Sequence, residues 1–253
     1  MNWHVHTGDC REVLRTLAPA SIDCVLTDPP YGETALDWDR QVDGWVPEVR
    51  RVLKPHGSLW CFGSLRFFLS RRDDFTGWRL AQDVVWEKHN GSGFEADRFK
   101  RVHELAAQFY PADVAWSHVY RCVQMVPGEK RPSARVRARG TLQHRGKIGA
   151  GGYEFGPQRM MRSVIWARSC HGRAVNPTQK PEAILAPFVR YSCPPGGVVL
   201  DPFCGSGSTG LACQLAGVDF VGIEIRPDEA VMARRRLAGD VRGDAPLLAG
   251  GIT

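Results

Sequence analysis

Asp201-Pro202-Phe203-Cys204-Gly205-Ser206-Gly207-Ser208-Thr209-Gly210 is a glycine-rich motif late in the chain, and the predicted fold depends on its position. Its glycines at positions 205, 207 and 210 form the pattern G-x-G-x-x-G between a predicted strand, residues 198–200, and a predicted helix that begins near residue 211. Glycines at this spacing allow a ligand to approach the backbone closely. Taken alone, the pattern is a weak signal, because it fits a dinucleotide-binding dehydrogenase equally well.

The position of this motif late in the chain argues against a dehydrogenase. The next predicted strand, residues 219–223, is followed by Glu224, whose carboxylate is well placed to accept hydrogen bonds from ribose hydroxyls. A dinucleotide fold needs several more strands after its fingerprint. We therefore expect the remaining strands to come from the N-terminal part of the chain, in a permuted order.

A second motif, Asp28-Pro29-Pro30-Tyr31, follows an apolar run at residues 22–27 that predicts a buried strand. Its two prolines make the turn rigid and lack backbone donors, while their carbonyls remain as acceptors. Asp28 and the Pro29 carbonyl can each accept one N–H of an amine on a flat base, and Tyr31 can stack on the ring. The alternative is an ordinary strand-end turn with a capping aspartate.

Predicted strands alternate with predicted helices, which indicates an α/β fold with a parallel sheet covered on both faces. Ligands of such sheets bind at the carboxyl ends of the strands, near the point where the strand order reverses. Both motifs follow strand ends, so we expect them to meet at one site.

The composition indicates one large α/β domain with a modest insertion. Of 253 residues, 43% are hydrophobic, and no apolar run approaches the roughly 20 residues needed to span a bilayer. Residues 1–8 lack the features of a signal peptide, so we expect a cytoplasmic protein without membrane contacts. The eight cysteines include no C-x-x-C pair, and we therefore expect neither a metal site nor a disulfide.

Positive charge is concentrated in one polar stretch of the chain. The formal net charge is +6, and residues 130–147 contain seven lysines or arginines and no acidic residue. This run lies within residues 111–175, which lack a sustained helical or strand period and therefore predict an insertion or small subdomain. Charge alone leaves two interpretations, a solvated loop or a surface for a polyanion. The seven residues are Lys130, Arg131, Arg135, Arg137, Arg139, Arg145 and Lys147.

The two motifs in this order resemble those of the beta group of DNA amino-methyltransferases, bacterial and phage enzymes that act on adenine N6 or cytosine N4. A third segment, Asn176-Pro177-Thr178-Gln179-Lys180-Pro181, resembles the group's segment just before the cofactor loop, where the first residue is often histidine. Further family elements are matched by Gly8-Asp9, Trp86-x-Lys88-x-Asn90 and His103-Glu104.

The resemblance implies a permuted Rossmann-like sheet of the kind found in S-adenosylmethionine-dependent methyltransferases, with a small basic insertion. We expect a catalytic domain formed by residues 1–110 and 176–253. Residues 111–175 occupy the place of the group's target recognition region, so we expect that role for the insertion.

The resemblance also implies a reaction, with S-adenosyl-L-methionine as methyl donor and adenine N6 in double-stranded DNA as acceptor. Members with aspartate at the position of Asp28 mostly act on adenine, and those with serine mostly on cytosine. The expected catalytic residues are Asp28, Pro29, Pro30 and Tyr31. The expected cofactor contacts are Asp9, Cys10, Asp28, Asp201, Phe203, Gly205, Ser206, Gly207, Ser208, Thr209, Glu224 and Ile225, with Lys180 or Thr178 at the methionine carboxylate. The seven basic residues of 130–147 are the expected DNA contacts.

Several alternatives stay open at the level of sequence. The acceptor could be cytosine N4, or RNA or a protein amide, since related enzymes with P-P-Y motifs use both. The chain could also be a catalytically silent DNA-binding protein on this fold, although the intact motifs argue against it. Cys193-Pro194 invites comparison with cytosine-C5 enzymes, but Pro194-Pro195-Gly196-Gly197 favours a turn. The sequence does not decide the recognition site, a restriction partner, or the homodimer that is common in this group.

Overall fold

The structure, a computed structural model, describes residues 1–92, 97–128, 157–170 and 179–241. The chain forms two compact units, one built from residues 1–122 and the chain from Ser163 onward, and a smaller one of Val123–Arg162. The smaller unit spans fewer residues than the predicted insertion of residues 111–175, because both ends of that range belong to the larger unit. The role of this insertion in target recognition stays a prediction.

Strands and helices alternate from Trp3 to Ser70 and again from Glu182 onward, whereas the described residues between them form five strands and no α-helix. The described strands are β1 (Trp3–Thr7), β2 (Ile22–Thr27), β3 (Leu53–Gly63), β4 (Trp78–Ser92), β5 (Arg101–Pro111), β6 (Met125–Pro127), β7 (Gln158–Met160), β8 (Val164–Trp166), β9 (Val198–Asp201) and β10 (Asp219–Glu224). The described helices are α1 (Cys10–Thr16), α2 (Trp45–Val52), α3 (Leu65–Ser70), α4 (Glu182–Ser192), α5 (Ser208–Ala216) and α6 (Pro227–Ala238).

The described strands of the larger unit form one sheet in the order β1-β10-β9-β2-β3-β5-β4-β8. β5 runs antiparallel to both of its neighbours, and the other neighbouring strands are parallel. The late strands β9 and β10 therefore lie between the early strands β1 and β2, which confirms the permuted Rossmann-like order predicted from the sequence. In the smaller unit, β6 pairs antiparallel with β7.

Helices cover both faces of the sheet because neighbouring residues of the central strands point to opposite sides. On β2, Cys24 and Leu26 pack into one core with α4, α5 and α6. Val25 points the other way and packs into a second core with α1, α2 and α3. With both faces covered, the ends of the strands are the places where a site can form.

Three further features concern the part of the chain that the structure describes. No helix there is both long and apolar enough to cross a membrane. Its histidine, cysteine and acidic side chains form no cluster that could hold a metal ion. No disulfide links its cysteines.

Candidate active site

The two sequence motifs meet where the neighbouring strands β2 and β9 end. The chain continues from β9 through α5 to β10 on one side and from β2 through α2 to β3 on the other, so the strand order reverses here. Across this point, Thr27 Oγ1 donates a hydrogen bond to Asp201 Oδ1 at 2.8 Å. Because the two connections run to opposite sides, they leave a cavity of about 1250 Å³ at the carboxyl ends of the strands. Open α/β sheets bind their ligands at this place.

Most of the predicted site residues line this cavity. The cavity is lined by the four predicted catalytic residues, Asp28, Pro29, Pro30 and Tyr31. It is also lined by these predicted cofactor contacts: Asp9, Cys10, Lys180, Asp201, Phe203, Gly205, Ser206, Ser208, Thr209, Glu224 and Ile225. Gly207 belongs to the same loop but does not line the cavity. Thr178 and the seven basic residues of 130–147 lie outside the described residues.

Asp201 holds the glycine-rich loop in shape. Its Oδ2 accepts a hydrogen bond from Thr209 Oγ1 at 2.6 Å, and its Oδ1 accepts one from the Phe203 backbone N–H at 3.1 Å in addition to the Thr27 bond. Burial raises the pKa of Asp201 to about 6, although the two threonine hydroxyls act in the opposite direction. Both carboxylate oxygens are therefore engaged within the protein, where they hold the loop that lines the cavity.

Glu224 ties the end of β10 to the same loop. Its Oε2 accepts from the Gly205 backbone N–H at 2.9 Å, and its Oε1 accepts from the Arg226 backbone N–H at 2.9 Å. Gly205 and Gly207 have φ angles of +49° and +84°, and a Cβ on Gly207 would lie 3.1 Å from the Cβ of Ala233. Each Glu224 oxygen keeps a second lone pair that can accept a ligand hydroxyl.

The start of α1 borders the cavity beside Glu224. Asp9 caps the helix by accepting from the Arg11 backbone N–H at 2.8 Å, and its carboxylate also contacts the Arg11 guanidinium at 2.5 Å. The Gly8 backbone N–H donates to the Glu224 carbonyl at 2.9 Å, which fixes this turn against the end of β10. Burial raises the pKa of Cys10 to about 12, so its thiol stays protonated at neutral pH.

The Asp28 carboxylate lies at the centre of the proline motif. Its Oδ1 accepts from the Tyr31 hydroxyl, and its Oδ2 accepts from Lys180 Nζ. The Tyr31 ring lies 5.3 Å from the Phe67 ring between centroids. A quarter of the Asp28 side chain remains exposed, and because it lines the cavity, its remaining lone pairs can accept N–H groups of a ligand.

Lys180 lies between two carboxylates of the chain itself. Its Nζ is 3.2 Å from Glu104 Oε2 in addition to its bond with Asp28, and Glu104 Oε1 accepts from Lys88 Nζ. Burial acts to raise the pKa of Glu104, but the two ammonium groups outweigh it and lower the pKa to about 2. The sequence marks Glu104 and Lys88 only as family matches. Their pairing depends on the antiparallel register of β4 and β5, in which Trp86 lies opposite Glu104.

The segment after Tyr31 is fixed by Asp39, which sequence reasoning missed. Its Oδ1 accepts from the Gly32 backbone N–H at 2.8 Å, and its Oδ2 accepts from the backbone N–H groups of Glu33 at 3.0 Å and Thr34 at 2.7 Å. The Asp39 side chain is buried. No periodic signal reveals it, because its partners lie in an irregular segment five to seven residues away.

Cys193 lies in a turn outside the cavity. The Gly197 backbone N–H donates to the Pro194 carbonyl at 2.9 Å, and the chain then enters β9. Burial raises the pKa of Cys193 to about 12, so the side chain is a poor nucleophile. The interpretation of residues 194–197 as a turn is confirmed.

Comparison with known proteins gives a match over most of the chain. The family model for N6/N4 methyltransferases, described as DNA methylase, matches residues 22–235. The chain is also 28% identical, over 270 residues, to Type II methyltransferase M.HinfI of Haemophilus influenzae. That similarity covers 91% of this chain and 67% of the relative.

Solved structures share the fold. The M1.HpyAVI–SAM complex superposes with a TM-score of 0.62 at 22% identity, over 93% of this chain and 100% of that one. The PvuII DNA methyltransferase, named as cytosine-N4-specific, gives a TM-score of 0.64 at 17% identity, over 93% of this chain and 86% of that one. At these identities the likeness concerns the fold, and it confirms the Rossmann-like architecture.

Proposed function

Because the chain belongs to the N6/N4 DNA methylase family, we propose that it methylates adenine N6 in duplex DNA. Enzymes of this family take the methyl group from S-adenosyl-L-methionine, so the cofactor and the class of reaction follow from membership. The observation that carries the proposal is the position of the Asp28 carboxylate, which lines the same cavity as the glycine-rich loop and Glu224.

The residues around the glycine-rich loop fit the different parts of S-adenosyl-L-methionine. Glu224 offers buried carboxylate acceptors to the ribose hydroxyls, and Ile225, which is 63% exposed, offers apolar surface beside the adenine. Asp9 offers an acceptor at the adenine edge. The first turn of α5, beginning at Ser208, favours the negative charge of the methionine carboxylate. When bound, the donor supplies a methyl group on a sulfonium sulfur that is already activated for displacement.

The proline motif fits the acceptor. We assign the two N–H groups of the target amine to Asp28 and to the Pro29 carbonyl, which leaves the nitrogen lone pair free to attack. With the donor bound, the lone pair would take its activated methyl group, and Asp28 would accept the proton that the nitrogen then releases. The base must leave the duplex at a cost of a few kcal/mol. Stacking on Tyr31 offsets about 1–3 kcal/mol of that cost.

Asp28 supports adenine as the target by resemblance, since family members with aspartate at this position mostly act on adenine. Physical chemistry alone does not separate the two bases, because a carboxylate accepts a charge-assisted hydrogen bond from either amine. The cytosine specificity in the name of the PvuII enzyme does not carry over, since that likeness concerns the fold.

For DNA binding, we propose residues 111–175 as the target recognition insertion and the basic run of 130–147 as its phosphate contacts. Seven cations with no acidic residue among them support this role. The relative M.HinfI is named a Type II methyltransferase, and we propose the restriction-modification setting for this chain as well.

Transfer of labelled methyl groups tests the proposed reaction and its substrate together. The protein is incubated with isotopically labelled S-adenosyl-L-methionine and with duplex DNA, RNA or protein in parallel. We expect label in duplex DNA. Label in RNA or protein alone would contradict the DNA assignment, and donor binding without any transfer would support the catalytically silent alternative.

In the same assay, Asp28→Ala should lower kcat by about 10²–10³, the usual loss when a preorganised polar group at the reacting centre is removed. Its affinity for the donor, measured by calorimetry, should stay at the wild-type value because Asp28 binds the amine. Near-normal turnover of the variant would remove Asp28 from its assigned role.

A further inference from the structure

Four charged side chains form a continuous, largely buried chain behind the proline motif, and the reaction described above uses only the last of them. Lys88 on β4 donates to Glu104 Oε1 on β5, and Glu104 Oε2 lies 3.2 Å from Lys180 Nζ just before α4. Lys180 Nζ then donates to Asp28 Oδ2 at the end of β2. Two cations and two anions from four separate stretches of the chain therefore balance one another.

Stability alone explains this arrangement poorly. The side chains of Lys88, Glu104 and Lys180 are only 12%, 15% and 9% exposed. Taking ions out of water is costly, and replacing a buried ion pair by apolar residues is often neutral or stabilising. A chain of buried charges that ends on a predicted catalytic carboxylate therefore points to a role in the reaction.

We propose that Lys180, anchored by Glu104, is a positioning residue that keeps Asp28 ionised and oriented to accept an amine N–H. The inference rests on the proposed function, because it concerns how Asp28 serves methyl transfer. It also replaces the expectation that Lys180 holds the methionine carboxylate, since the Lys180 ammonium is held between two carboxylates of the chain.

A neighbouring cation favours the ionised form of Asp28, which burial in this cavity opposes. Burial raises the pKa of Asp28 and the Glu104 carboxylate adds to the rise, whereas the Lys180 ammonium lowers it. In its protonated form, Asp28 would turn one acceptor oxygen into a donor and would oppose the amine N–H. The titratable groups that face Asp28 are Lys180, Glu104 on β5, Tyr31 in its own motif, Asp201 at the end of β9, and Cys61 on β3.

The pH dependence of methyl transfer separates this role from a structural one. Transfer needs the ionised carboxylate, so activity falls as the pH drops through the pKa of Asp28. Lys180→Met removes the cation and should move this acid limb to higher pH by about 1–3 units, the effect of one adjoining charge. Glu104→Gln removes an anion and should move the limb to lower pH. Lys180→Arg keeps the charge and should restore most of the wild-type profile.

Single-turnover methylation of duplex DNA over a pH series gives these profiles, and calorimetry gives the donor affinity of each variant. The matched control is Lys54→Met, which removes a lysine that pairs with buried Asp23 at 2.8 Å outside the cavity. Its profile should coincide with that of the wild type. A carbon-13 NMR titration of aspartate carboxyls, without donor or DNA, should give the same directions for Asp28, with Asp28→Asn assigning the signal.

The outcomes distinguish this inference from the proposed function. If the wild type is active and the acid limb moves in neither Lys180→Met nor Glu104→Gln, the inference is overturned and the proposed function stands. Weakened donor binding in Lys180→Met with an unchanged limb also overturns it and returns Lys180 to the methionine carboxylate. An inactive wild type refutes the proposed function, and the NMR titration then decides the inference. If Lys180→Met does not fold, the opposite shift expected for Glu104→Gln carries the test.

Discussion

At the scale of residues, two carboxylates in one cavity have different partners. Asp28 is assigned to the target amine, whereas Glu224 is bound to backbone N–H groups of the loop and of Arg226 and is assigned to the ribose. Glu224→Ala should therefore weaken S-adenosyl-L-methionine binding by about 1.5–3 kcal/mol, the usual contribution of a hydrogen bond to a charged group. Calorimetry measures this change in affinity directly.

The control for this variant is Glu229→Ala, because Glu229 pairs with the same Arg226 at 3.5 Å but does not line the cavity. Its donor affinity should match the wild type. If Glu224→Ala binds the donor as tightly as this control, the ribose lies elsewhere.

Site residues that are adjacent in sequence can be predicted, whereas those brought together by the fold cannot. The proline motif and the glycine-rich loop each concentrate their chemistry within a few residues, so their composition reveals them. Asp39 and Glu104 carry no such signal. Asp39 anchors an irregular segment, and Glu104 meets Lys180 only because β5 inserts antiparallel into the sheet.

At the scale of elements, the sequence predicts fully buried strands well and half-exposed ones poorly. The apolar run at residues 22–27 is β2, whose six residues are all buried. The sequence indicates β5 only weakly, over residues 105–109, because residues 106–111 are buried while residues 101–105 are partly or fully exposed. It misses β1 at the sheet edge, since Val5 is the only buried residue of that strand. The predicted parallel sheet is confirmed for the other described strands of the larger unit, whereas β5 is antiparallel to both of its neighbours.

At the scale of the whole molecule, the basic run of 130–147 should set the electrostatic part of DNA binding. Replacing Arg135, Arg137 and Arg139 with alanine should weaken binding to every DNA sequence. The slope of log affinity against log salt should become shallower by about 0.9 for each phosphate group that the variant no longer neutralises. Binding isotherms at several salt concentrations measure the slope.

The control for this triple variant replaces Arg15 and Arg72 with alanine, which removes two largely exposed cations outside the cavity. It should keep the wild-type slope. An unchanged slope in the triple variant would identify the basic run as a solvated loop.

The proposed methylation of adenine N6 in duplex DNA can be read from the bases of a cellular genome. The most direct test expresses the chain in a host without DNA methylases, digests the genome to nucleosides and separates them by mass spectrometry. We expect N6-methyladenine as the sole modified base, and we expect none in cells that express Asp28→Ala. N4-methylcytosine as the main product would contradict the target assignment, and the absence of any methylated base would contradict the proposed reaction itself.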